Sequence, residues 1–156
     1  DLAGNEGREF ILNFLFGIAI HPDHHNGGLG KEMLRRLGEG SFDHYLIAGR
    51  IQSPRMWEII LNLFPYAHPG IHEFPLGDYL PEELIGIPEN VAQEVSPGKK
   101  FDGEHSVIRG CYDVGSIYGK PLLSRNSEIN GTFYSMVNPS RGDALLFTGI
   151  PSEDTH

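Results

Sequence analysis

Phe10 to Ile20 reads FILNFLFGIAI, and His21 to Leu37 continues it as HPDHHNGGLGKEMLRRL. The first run is almost continuously apolar, rich in Phe and Ile, and closed by His21-Pro22. That is the pattern of a strand buried on both faces inside an α/β sheet. The next stretch packs Pro22, Asp23, Asn26, Gly27 and Gly28 together, which dictates a loop. From Leu29 the period changes. Leu29, Met33, Leu34 and Leu37 fall on one face of a helix, Lys31, Glu32, Arg35 and Arg36 on the other, and Gly38 is a natural stop. The unit is strand, glycine loop, amphipathic helix.

Outward from this unit, Tyr45 to Ala48 is a second apolar run and the next expected strand. Ser53-Pro54 has the form of a helix start, with Ser53 as cap and Pro54 in the first turn. Met56, Ile59, Ile60 and Leu63 carry that helix to Pro65. Prolines then recur at 65, 69, 75, 81, 88 and 97, so this stretch is expected to be mostly loop, with short helices near Pro81–Leu84 and Glu89–Val95. Val107–Cys111, Gly131–Val137 and Ala144–Thr148 read as strands, the last two as a hairpin turning at Arg141-Gly142. Asp1 to Glu9 reads as loop. The whole is one α/β domain, 1–156, with a core over 10–65 and a loop-rich and strand region over 66–156.

A chain of 156 residues, 39% hydrophobic and 21% charged, can bury a real core. Its net charge of −9 argues against nucleic acid as a partner and suits a cationic one. No run is long enough to span a membrane, so no membrane partner is expected. Cys111 is the one cysteine, which excludes an internal disulfide, reads as a small buried side chain, and fits a reducing, cytoplasmic setting. His21, His24 and His25 lack the Cys or carboxylate partners that would complete a zinc site, so no metal is expected. Trp57, Phe64 and Tyr66 are candidates to line an acceptor pocket, but core packing is the favoured reading, since Trp57 and Phe64 belong to an amphipathic helix and Tyr66 lies just beyond it.

A glycine turn between a buried strand and a helix can bind phosphate, because backbone N–H groups converge there and the helix start adds positive charge. A Walker A loop would need glycine at His25 and Ser or Thr at Glu32. The dinucleotide fingerprint would need a small residue at Met33. Neither fits. What remains is His25, two residues, Gly28, one residue, Gly30, preceded by Ile18-Ala19-Ile20-His21-Pro22 and followed by Lys31-Glu32-Met33-Leu34. This segment resembles the signature of the GNAT N-acetyltransferases, with His25 in place of the family's Arg or Gln. Lys31, Arg35 and Arg36 make the segment locally basic, as an anionic ligand requires. Arg50-Ile51-Gln52-Ser53-Pro54 is similar to the segment that opens the next helix in some members, with Ser53 where Asn is usual.

The resemblance implies a GNAT-like mixed sheet, with central parallel strands that splay apart and helices on either side. It implies acetyl-CoA as donor, held by Ile18, Ala19 and Ile20, by the loop His25, Asn26, Gly27, Gly28, Leu29, Gly30 and Lys31, and by Ser53. The acceptor would be the primary amine of a small molecule or peptide. His21 is the expected base or water-holder. The family's acid is often a tyrosine on the helix after the second strand; here Trp57 stands near that slot and Tyr66 is the expected substitute. Members usually place a strand, two helices and two strands ahead of the one that begins here at Phe10. The resemblance therefore implies completion by an N-terminal segment, a second chain or a homodimer. A catalytically silent acyl-CoA-binding module is the rival reading.

Overall fold

The computed structural model describes residues 2–3, 9–15, 32, 45–117 and 122–150. Among them it is a mixed α/β fold of seven strands, three α-helices and three short 3-10 turns. The strands are β1 (Leu2–Ala3), β2 (Glu9–Leu15), β3 (Tyr45–Ile51), β4 (Ala67–His68), β5 (Lys100–Asp102), β6 (Val107–Arg109) and β7 (Ala144–Gly149). The helices are α1 (Pro54–Leu63), α2 (Ile87–Val95) and α3 (Ser127–Met136).

The sheet runs β1-β2-β3-β7-β6-β5, with β4 also paired to β7. One neighbouring pair is parallel: β2 lies beside β3 in register from Ile11↔Tyr45 to Leu15↔Gly49. All other pairs are antiparallel. A parallel pair requires a crossover rather than a hairpin, and the chain between Leu15 and Tyr45 supplies it. That segment holds the glycine loop, which lies outside the described residues. Of the helix expected over 29–37, Glu32 alone is described, and its backbone is helical.

β7 sits centrally because it can. All six of its residues are buried, so it tolerates a layer on each face. Period-two alternation divides the core between the faces. Ile47, Ile51, Leu145 and Phe147 meet Trp57, Ile60 and Phe64 of the α1 region and Ile129, Phe133 and Met136 of α3. Leu46, Ala48, Ala144 and Leu146 meet Leu84, Ile87, Val91 and Ala92 on the other face.

Several expectations hold and several need correction. Ser53 caps α1, accepting from Met56 N–H at 3.1 Å, and Pro54 stands in the first turn. Short helices occur at Glu82–Leu84 and Ile87–Val95. Trp57, Phe64 and Cys111 are buried. The predicted strand at Gly131–Val137 is instead part of α3, so the hairpin with β7 does not exist. Asn126 accepts from Glu128 N–H at 2.9 Å and starts a helix whose buried residues, Ile129, Phe133 and Met136, recur at helical spacing. The predicted strand Val107–Cys111 ends at Arg109, because Gly110 turns the chain at φ +59°. Ala67–His68, read as loop, is a short strand, as is Leu2–Ala3 within the stretch before Phe10, and Lys100–Asp102 adds another.

Candidate functional site

Ligands of parallel strands bind beyond their carboxyl ends. Here β2 ends at Leu15 and β3 at Ile51, and in a parallel pair both ends face the same way. Beyond Ile51 come Gln52 and Ser53, which are 3% and 2% exposed. Gln52 is a buried clamp. Its Nε2 donates to Asp143 O at 2.8 Å and Gly115 O at 3.3 Å, while its Oε1 accepts from Ile117 N–H at 2.8 Å. The amide thereby joins the end of β3 to the start of β7 and to the segment 115–117.

Asp143 is itself buried, and a buried carboxylate demands full compensation. Arg109 supplies it with an ion pair at 3.0 Å, and Gly110 and Asn138 donate backbone N–H groups at 3.0 and 3.2 Å. Arg109 also reaches Asp102 at 2.7 Å. Burial pushes the Asp102 carboxyl up, but hydrogen bonds from His105 and Arg109 bring it below the usual carboxylate range. This network braces the wall of the site.

On the other face of β3, Arg50 stands where Leu46 and Ala48 set a buried row. Its guanidinium donates to Ser96 Oγ at 3.2 Å and Val95 O at 3.4 Å, lies 3.7 Å from Cys111 Sγ, and covers the Tyr112 ring at 5.2 Å. Cation–π contact and hydrogen bonds together hold the charge at a partly buried position.

The start of α1 is closed by protein groups. Pro54 has no N–H. Arg55 N–H donates to Leu122 O at 3.3 Å, Met56 to Ser53 Oγ, and Trp57 to Ser53 O at 3.2 Å. A helix start binds anions through open N–H groups, and this one holds protein acceptors instead. The buried Ser53 acts here as a cap.

Tyr66 lies elsewhere. It packs on Phe64 with ring centroids 5.8 Å apart, beside Gly149 and Ala67. Gly149 pairs with Ile47 and Leu145 with Ile51. At about 3.3 Å per residue, Tyr66 and Ser53 sit near opposite ends of a stretch of β3 about 13 Å long. Burial pushes the Tyr66 phenol up to about 12. Such a phenol stays protonated, yet giving its proton to a thiolate, whose thiol titrates near 8.5, is uphill. Trp57 is fully buried and its N–H is committed to Pro69 O at 3.0 Å. Near Tyr66, His68 Nδ1 meets Glu73 Oε1 at 3.0 Å, which orients that ring.

Ile18, Ala19, Ile20, His21, His25, Asn26, Gly27, Gly28, Leu29, Gly30 and Lys31 lie outside the described residues. Gln52, Asp143 and Arg109 were not singled out as site residues from sequence. Arg50 had one readable signal: a charge in phase with Leu46 and Ala48 on a strand. No metal-binding group of three or more His, Cys, Asp or Glu occurs among the described residues. No helix among them is long and apolar enough to cross a membrane. No family model, curated protein or solved structure matches the chain.

Proposed function

We propose that the chain is the acyl-CoA-binding part of a GNAT-like N-acetyltransferase, transferring an acetyl group from acetyl-CoA to a primary amine. One observation carries the reading. The β2–β3 pair is parallel within an otherwise antiparallel sheet, its crossover contains the loop His25–Gly30, and its second strand runs straight into the capped helix α1. In this reading β2 and β3 splay beyond Leu15 and Gly49. Backbone N–H groups of Gly27, Gly28, Leu29 and Gly30 hold the pyrophosphate, with His25 and Lys31 beside it, and backbone at Ile18–Ile20 receives the thioester oxygen.

The chemistry is direct. His21 takes the ammonium proton, the amine nitrogen attacks the thioester carbon, and the carbon–sulfur bond breaks as the nitrogen gives its second proton to solvent. Holding both reactants in one frame removes much of the entropic barrier. The thiolate takes its proton from solvent, since Tyr66 is a poor donor and Trp57 is committed. Among the described residues neither Tyr66 nor Trp57 is suited to that donation, which favours the second reading, a silent acyl-CoA-binding module.

Gly28→Val and Gly30→Val test the loop, because a side chain there blocks phosphate approach. Each is expected to abolish coenzyme A binding by calorimetry while circular dichroism stays unchanged. Wild-type affinity in both variants would sink the assignment. Thiol release from acetyl-CoA over a panel of amines separates the two readings: binding without turnover selects the silent module.

A further inference from the structure

We draw no further inference here: the strongest candidate, the His68–Glu73 side-chain pair at the end of β4 beside the buried Thr148 hydroxyl of β7, carries nothing, because that hydroxyl is closed off from any ligand and the pair serves to close the turn at Gly70.

Discussion

At the scale of single residues, Tyr66 shows how burial changes what a group can do. Its phenol, pushed up to about 12 by burial, keeps its proton in the folded state at pH values where the unfolded chain releases it. The sign follows from linkage: the unfolded state binds fewer protons between about pH 10 and 12, so stability falls as pH rises through that window and is fully retained below it. Tyr66→Phe removes this dependence. Urea midpoints at about pH 9 and about pH 11.5 should therefore fall less in the variant than in the wild type. Equal slopes would show that the phenol titrates alike in both states. Gln52 makes a different point. Its partners stand 63, 65 and 91 residues away, so nothing local in the sequence marks it as a clamp.

Among elements, legibility tracked how local the deciding signal was. The helix α1 was readable because Ser53, Pro54 and the apolar period that follows all lie within one short segment. For α3 the strand-favouring run Thr132-Phe133-Tyr134 masked the cap at Asn126 and the longer spacing of Ile129, Phe133 and Met136. β5 has a polar sequence and exists because β6 lies beside it, from Lys100↔Arg109 to Asp102↔Val107. Two glycines turn these assignments into a paired experiment. Gly131 lies inside α3, and a Cβ there meets nothing within 4 Å. Gly131→Ala should stabilise by about 0.5–1 kcal/mol. Gly142 has φ +81°, and a Cβ there would collide with the Tyr112 carbonyl. Gly142→Ala should destabilise by more than about 2 kcal/mol, because strain and collision add. Denaturant unfolding of both variants checks the pair, and a destabilised Gly131→Ala would show that the added Cβ is not in open space.

Over the whole molecule, the readable part of the architecture was the order strand, crossover, strand, capped helix, which is the frame of the candidate site. The position of β7 between β3 and β6 was not readable, because pairing partners far apart in sequence are chosen by fit of apolar faces rather than by any local signal. That placement covers one edge of β3, and among the described residues the far edge of β2 from Ile11 to Leu15 has no partner strand. Among the described residues β1 pairs with Glu9 and Phe10 alone, while β3 takes the opposite edge from Ile11 to Leu15. A parallel strand rarely lies at an open edge, and unpaired backbone groups there invite another strand. We expect the edge from Ile11 to Leu15 to be covered by further polypeptide, whether an N-terminal segment, a partner chain or a second copy. Where the cover is a second copy, the mass of the 17.3 kDa chain by light scattering should rise with concentration. Amide exchange across Ile11–Leu15 should slow in step with that rise. A constant monomer mass with rapid exchange of the outward amides would show instead that β2 ends the sheet, and that the loop following it needs no further scaffold.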